Sequence, residues 1–376
     1  MRIGIDARPL SWPGKGGIPR VCSELVAALM LVGSEHEYVV FTTKRPLSSS
    51  IIAERVEVLD GSPVWYSLYA LPKAVKRHRC DVVLGLSPET LRVTIPTVQV
   101  VYDVYPKFYG EWLPRRYACT GTYLRHRIQT FVRLRSLKAM AGVVAVSEAT
   151  LGDIWNYIDH ARTATGVASP GHSRGWGRRW TEEEARTYIK ERWNVHGEYF
   201  LYVGSINYNK NCHTLVQAFQ RFRVSTQGQV SLLLVGTESW PYLPQNSLLD
   251  VEGVIRIPDA EDGELGALYT GALGFICLSF YEGFGIPVLE AMAHGSPVIV
   301  SDRGSLPEVA GEAGIIVSPT DQDSIVSAME DLAMSTEKRE GLRVLSRRRS
   351  EEYSWEKEAQ EVLAVLRSVV DRNRSR

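Results

Sequence analysis

Two carboxylates, Glu282 and Glu290, stand eight positions apart in the stretch Ser279–Asp302, SFYEGFGIPVLEAMAHGSPVIVSD. Carboxylates accept hydrogen bonds, so such a pair suits sugar or ribose hydroxyls and repels phosphate. The residues between them suit phosphate instead. Gly283 and Gly285 flank Phe284 and let backbone N–H groups approach a ligand closely. Ile286-Pro287 then opens a helix whose free amides and partial positive charge attract an anion. Lys210 has a similar setting: it follows the turn Gly204–Asn211 (GSINYNKN) and leads into a predicted helix, Cys212–Arg223, so its ammonium and the helix amides can meet a diphosphate. A further carboxylate, Asp103, ends the apolar run Val98–Asp103 directly after Tyr102, and Gly16 and Gly17 lie in the loop WPGKGGIP. That loop has neither the GxGxxG spacing nor the GK[ST] ending, so neither a dinucleotide site nor a P-loop follows from it.

Each of these residues sits where a predicted strand gives way to a loop. The first half offers the strands Arg2–Asp6, Tyr38–Thr42, Val56–Leu59, Asp81–Leu86, Val98–Asp103 and Gly142–Val146. The second half offers Tyr199–Val203, Val230–Gly236, Gly253–Ile257, Gly274–Leu278, Pro297–Ser301 and Ala313–Pro319. Helical stretches alternate with them, and that rhythm predicts mostly parallel sheets with ligands at the carboxyl ends of the strands. A chain of 376 residues has room for two domains, each with its own core. The region near 170–197, rich at first in Gly, Arg and Trp, separates a predicted domain 1–180 from a second at 181–355, and a last helix fills 356–376.

Composition sets the wider frame. Hydrophobic residues make up 44% and charged residues 23%, as in an ordinary globular protein. No apolar run reaches the roughly 18 residues of a membrane span, and MRIGIDARPL lacks the apolar core of a signal peptide. Five cysteines without a CxxC pair suggest a reducing, cytoplasmic setting with neither a disulfide framework nor zinc. The net charge is zero but unevenly spread, because residues 1–197 hold 27 Lys and Arg against 18 Asp and Glu. Much of this excess lies in 115–138, with seven Lys or Arg and no acid. At helical spacing Leu124, Ile128, Phe131 and Leu134 share a face, so the segment suits an anionic membrane surface, an anionic acceptor, or plain cover for a sheet.

EGFGIPVLEAMAHGSPVI resembles, almost letter for letter, the signature of retaining family 4 glycosyltransferases of the GT-B fold. The resemblance extends over essentially the whole chain and is strongest over Phe200–Pro319. It implies an α/β protein of two Rossmann-like doubly wound domains facing across a cleft, an acceptor-binding N-terminal one and a nucleotide-sugar-binding C-terminal one, with the C-terminal helix crossing back onto the first. It also implies roles: Lys210 and helix-end amides stabilise charge on the leaving diphosphate, and Gly16 and Gly17 approach that group. Glu282 contacts sugar hydroxyls, the amides of Gly283, Phe284 and Gly285 with neighbouring Ile286 position the sugar, Glu290 binds the ribose, and Ile257 meets the base through its backbone. Asp103 completes the implied catalytic set with Lys210 and Glu282. Two positions depart from the pattern: Ser205 replaces a frequent Arg beside the donor phosphates, and Tyr102, on the acceptor side, replaces the usual His.

The segment Ser305–Val309 (SLPEV) resembles a subgroup containing many mannosyltransferases, which favours GDP-mannose as donor. The implied activity is hexosyl transfer with retention, from a nucleotide-diphosphate sugar to a hydroxyl of a glycan or lipid-linked acceptor, in bacterial surface polysaccharide synthesis. It needs no metal or other cofactor and no nucleic acid, and is placed in the cytoplasm, with peripheral contact at the inner face of the membrane through 115–138. Two alternatives stay open, a sugar-nucleotide 2-epimerase of the same fold and a catalytically silent sugar-nucleotide-binding partner.

Overall fold

The computed structural model describes residues 1–12, 17–44, 56–88, 90, 93–104, 121–172, 180–226, 228–238 and 251–375. Gly16 and part of the basic segment, 115–120, lie outside them. The described chain divides into two units, one running to Gly171 and resuming over Tyr353–Arg376, the other spanning His172–Glu352.

The first unit is built on seven parallel strands: β1 (Arg2–Asp6), β2 (Glu37–Thr42), β3 (Val56–Val58), β4 (Val82–Gly85), β5 (Thr97–Val101), β6 (Gly142–Ala145) and β7 (Ala164–Val167), in the order β3-β2-β1-β4-β5-β6-β7. Most are short apolar runs covered on both faces, as parallel strands must be. Its helices are α1 (Gly17–Val32), α2 (Leu71–Arg77), which continues from a turn of π-helix at Tyr66–Ala70, α3 (Gly121–Leu137) and α4 (Glu148–Ile154). Ser147 caps α4 by accepting from the Thr150 amide at 3.0 Å, as its sequence position predicts. Strand β7 was not legible, because Ala164–Val167 (ATGV) is short and carries a glycine. The glycine is required there, since a Cβ on Gly166 would come within 2.6 Å of Val365.

The second unit carries α5 (Glu182–Trp193), β8 (Glu198–Val203), α6 (Cys212–Ser225), β9 (Val230–Val235), β10 (Val254–Ile257), α7 (Asp262–Gly271), β11 (Gly274–Cys277), α8 (Ile286–Ala293), β12 (Val298–Ser301), α9 (Leu306–Ala310), β13 (Gly314–Val317), α10 (Gln322–Met334) and α11 (Thr336–Ser350). Its six strands are parallel in the order β10-β9-β8-β11-β12-β13. Thr181 opens α5 with a full capping box to Glu184. Buried Arg343 of α11 donates to the carbonyls of Thr270, Ala272 and Gly295, satisfying backbone acceptors in the last turn of α7 and just past the ends of α7 and α8.

The last helix, α12 (Trp355–Arg374), belongs to the first unit. Its apolar side, including Val362, Val365, Leu366 and Val369, covers α1 and the sheet from β4 to β7. A Cβ on Gly142 would lie 3.0 Å from Val369, so the helix rests almost directly on the β6 backbone. Among the described residues no helix is long and apolar enough to cross a membrane.

Candidate functional site

Strand β11 ends in the second unit at Cys277, and the chain must turn sharply before α8 can begin. Gly285 makes that turn with φ of 101°, and a Cβ there would come within 2.8 Å of Leu306 Cδ2, so only glycine fits. Pro287 follows within the first helical turn, where it forfeits no hydrogen bond. The loop is held by its neighbours. Ser305 Oγ donates to the carbonyls of Glu282 and Phe284 at 3.0 and 2.8 Å, and Asn209 Nδ2 donates to the Tyr281 carbonyl at 2.9 Å. Gly304, with φ of 55°, lets its backbone lie against the loop, since a Cβ would stand 2.5 Å from the Glu282 carbonyl.

Glu282 and Lys210 meet at this point. Lys210 Nζ lies 2.5 Å from Glu282 Oε1, and the buried Ser279 hydroxyl donates to the same oxygen at 2.5 Å. Ser279 is itself held through its carbonyl, which accepts from Ser301 at 2.6 Å. The loop ahead of α6 presents the lysine: Asn207 accepts from the Lys210 amide at 3.1 Å, and Asn211, in the left-handed region at φ of 55°, starts the helix and donates to the Pro319 carbonyl. Burial works to lower the Lys210 pKa, but the Glu282 carboxylate outweighs it and holds the ammonium above its usual value. The lysine is therefore a fixed cation at every physiological pH.

Glu290 lies further along α8 and is largely buried, its Oε2 accepting from the Tyr269 hydroxyl at 3.1 Å. The Tyr269 ring stacks on His294 with centroids 5.9 Å apart. Burial, helped by the charge of His172, pushes the His294 pKa down to about 4. Ile257 is buried at the end of β10, and its carbonyl accepts from the Gly236 amide at 2.9 Å. Ser205 is exposed, and its carbonyl accepts from Tyr202. The structure thus joins Lys210, Glu282 and the Gly283–Ile286 turn into one constellation, with Glu290 on the helix it opens.

The first unit holds the remaining candidates. Gly17 starts α1 with open space where a Cβ would be. Asp103 follows β5 and lines a hollow with Thr90, Gln99, Thr130 and Arg133. Tyr102, the neighbouring residue, is buried, and its ionisation is opposed by burial and then by Cys22 of α1 and Glu358 of α12. Consecutive residues of an extended chain point to opposite sides, which separates this phenol from Asp103.

Sequence reasoning missed a buried ionic cluster in this unit. Arg8 makes a two-pronged contact with Asp6, Nε to Oδ1 at 3.0 Å and Nη2 to Oδ2 at 2.8 Å. Thr90 and Tyr66 donate to the same carboxylate at 2.7 and 3.1 Å, Arg8 reaches Ser67 at 3.2 Å, and its guanidinium lies 4.5 Å over the Tyr66 ring. The signal was present in RIGIDAR: an acid at the end of a strand and a base two residues later reach the same side. Ser279 and Ser305 were missed too, because nothing local marks a serine as the clamp of a distant loop. Among the described residues no group of three or more His, Cys, Asp or Glu side chains is placed to hold a metal ion.

Two parallel α/β units with a glycine turn, a lysine and a carboxylate at strand ends define the architecture of the GT-B fold. Solved structures agree over nearly the whole length: sucrose-phosphate synthase from Thermosynechococcus elongatus has a TM-score of 0.76 at 18% identity, covering 98% of both chains. Anabaena Alr3699/HepE, solved with UDP and glucose, has a TM-score of 0.70 at 18% identity and covers 98% of this chain. Residues 185–348 match the family described as Glycosyl transferases group 1. O-antigen chain mannosyltransferase B of Escherichia coli is 36% identical over 162 residues, 42% of each chain. MMP alpha-(1->4)-mannosyltransferase of Mycolicibacterium hassiacum is 33% identical over 43% of this chain, so the matched stretch spans about two-fifths of the length of these two relatives. Spore coat protein SA of Bacillus subtilis is 28% identical over 93% of this chain and 94% of its own.

Proposed function

We propose that the chain is a retaining hexosyltransferase that moves a sugar from a nucleotide-diphosphate sugar, with GDP-mannose the favoured donor, to a hydroxyl of a glycan or lipid-linked acceptor in bacterial surface polysaccharide synthesis. The observation that carries this reading is the Lys210–Glu282 pair beside the glycine turn that opens α8. A bound diphosphate gives the ammonium a second anionic partner, and charge that builds on the leaving group is met by a cation already in place. Glu282, held by Ser279, keeps acceptor capacity for sugar hydroxyls. The amides of Gly283, Phe284 and Gly285 position the sugar, with Ile286 at the helix start. Tyr269 fixes the Glu290 carboxylate for the two ribose hydroxyls. Ser205 and Ile257 complete the donor set. Gly16, Gly17 and Asp103 of the first unit serve the diphosphate and the acceptor, whereas the Tyr102 phenol, buried towards α1 and α12, stays out of that role.

No step of this chemistry calls for a metal or another cofactor, because Lys210 and the helix amides supply the positive charge. The mannosyltransferases among the relatives favour mannose, whereas the Anabaena protein was solved with UDP-glucose. Thermal melting with GDP-, UDP- and dTDP-sugars tests the donor: GDP-mannose should raise the melting temperature most. Anomeric analysis of the product tests retention, and an inverted product would overturn it. The location proposed is the cytoplasm, with peripheral contact between the basic segment 115–138 and the anionic inner face of the membrane.

A further inference from the structure

Three asparagines alternate through the loop that carries the lysine, Asn207, Asn209 and Asn211, each less than one-tenth exposed. Burying an amide costs free energy unless it is hydrogen-bonded, so each needs partners in the fold. Asn207 accepts from the Lys210 amide at 3.1 Å, and Asn211 donates to the Pro319 carbonyl at 2.7 Å. Asn209 reaches the loop of Glu282 instead. Its carbonyl accepts from the Phe280 amide at 2.8 Å, and its Nδ2 donates to the Tyr281 carbonyl at 2.9 Å.

The place of this tie along the two loops is specific. Strands β8 and β11 pair side by side, and past their ends each chain turns away to begin its own helix, α6 or α8. Asn209 joins them again beyond the strands. It immediately precedes Lys210, and Tyr281 immediately precedes Glu282, so the tie falls one residue before each member of the ion pair, whose Nζ and Oε1 stand 2.5 Å apart. One residue earlier the Tyr208 ring stacks on Phe280, with centroids 5.9 Å apart and planes 24° from parallel, and on its other neighbour, His213 of α6, at 5.3 Å. Residues 208, 209 and 210 thus meet 280, 281 and 282 in order.

A lysine ammonium ends a long flexible stem, so its place is fixed only where the backbone on both sides is fixed. Ser305 holds the carbonyls of Glu282 and Phe284, and Ser279 holds the Glu282 carboxylate, but these bonds lie within the glutamate's surroundings and do not reach the lysine loop. The Asn209 side chain does. Only an amide nitrogen can face the Tyr281 carbonyl, which sets the amide's orientation and leaves Oδ1 buried with no partner among the described residues. The donor is the half of the amide that the tie uses.

We propose that Asn209 is a positioning residue for the transfer reaction, holding the Lys210 and Glu282 loops together so that the ammonium stands where charge develops on the leaving diphosphate. The inference rests on the donor-site reading of the proposed function and adds the side chain that sets the spacing of the pair. A displaced lysine still attracts a diphosphate in the ground state, but it meets the transition-state charge poorly, and a shift of about 1 Å can cost about 100-fold in rate.

Kinetics with the nucleotide sugar that most raises the melting temperature test it. Asn209→Ala should lower kcat by about 10- to 100-fold and leave the donor Kd within about threefold of wild type. In a Lys210→Ala background the same change should lower kcat by less than about threefold, because Asn209 acts through the lysine. Asn209→Asp keeps the volume but turns an acceptor towards the Tyr281 carbonyl; its deficit relative to wild type should shrink as pH falls, since a protonated carboxyl donates. It also carries the test if Asn209→Ala melts early. Acetylation of Lys210 by acetic anhydride, followed by peptide mass spectrometry, needs no transfer. The Glu282 carboxylate keeps the amine protonated, so loosening the pair in Asn209→Ala should speed labelling by about threefold or more. Wild-type kcat in Asn209→Ala, a loss carried by Kd instead of kcat, an equal loss with and without Lys210, or an unchanged labelling rate would each overturn the proposal. If no nucleotide sugar binds or is transferred, glycosyl transfer falls, and the labelling rate alone decides whether Asn209 holds the pair.

Discussion

Lys210→Ala is the sharpest test of the donor site. The side chain's Nζ is 2.5 Å from Glu282 Oε1, and both side chains are under one-quarter exposed, so water screens the pair only partly. At an effective dielectric of about 20, a charge pair separated by about 4 Å is worth about 4 kcal/mol. Only the charge that develops on the leaving diphosphate counts toward turnover, which sets the loss at about 2–4 kcal/mol, or roughly 30- to 900-fold in kcat. The variant also strands the Glu282 carboxylate against an incoming anion, raising KM by repulsion. Glu282→Gln separates the two effects. If Lys210 acts on the diphosphate, the kcat ratio between Glu282→Gln and Lys210→Ala/Glu282→Gln should match that between wild type and Lys210→Ala. The assay is initial-rate transfer at saturating GDP-mannose. A kcat for Lys210→Ala within about threefold of wild type would refute the reasoning.

Ser305→Ala removes the two side-chain hydrogen bonds to the Glu282 and Phe284 carbonyls and leaves the Ser305 amide on the former at 3.2 Å; calorimetric titration should show donor affinity weakened by about 1–3 kcal/mol. Asp6→Ala leaves the Arg8 guanidinium buried without its partner and should cost about 3–5 kcal/mol in urea unfolding, whereas a cost below about 1 kcal/mol would mean the cluster carries little. His294 makes stability depend on acid. Its folded pKa of about 4 lies below that of an unfolded histidine, so the unfolded chain binds more protons and stability falls as pH drops from about 6.5 to about 4. The loss reaches at most about 3 kcal/mol, and His294→Phe, which keeps a ring against Tyr269, should lose less stability over that window than the wild type.

Most of the fold was legible because parallel strands are local apolar runs bounded by glycine turns. Arg2–Asp6 was read at its observed limits, and the other strands of the first half except β7 within two residues. Strand β7 and the 63–77 helical run were not read. The first is only four residues long and needs Gly166 for contact with Val365, and the second places Pro63 and Pro72 within a mixed apolar sequence. The helical period of α3 was read, but which apolar residues turn inward was not. Periodicity gives a face, and only the neighbouring sheet decides that Leu134 goes in while Phe131 stays out.

Sequence alone specified the glycine turn before α8, the helix it opens and the type of group at each chemical position, because backbone freedom, capping and charge are local properties. It also located Lys210 and Glu282, although 72 positions separate them. That they form one ion pair, with Ser279 on the same oxygen and Ser305 clamping the loop from behind, was decided only by the tertiary structure. Adjacent parallel strands bring their loops together at one sheet edge, and that distance cannot be read from spacing along the chain. The same holds for Asp6 and Arg8: the alternation of a strand sets them side by side, but only the helix carrying Tyr66 and Ser67 turns them into a buried cluster.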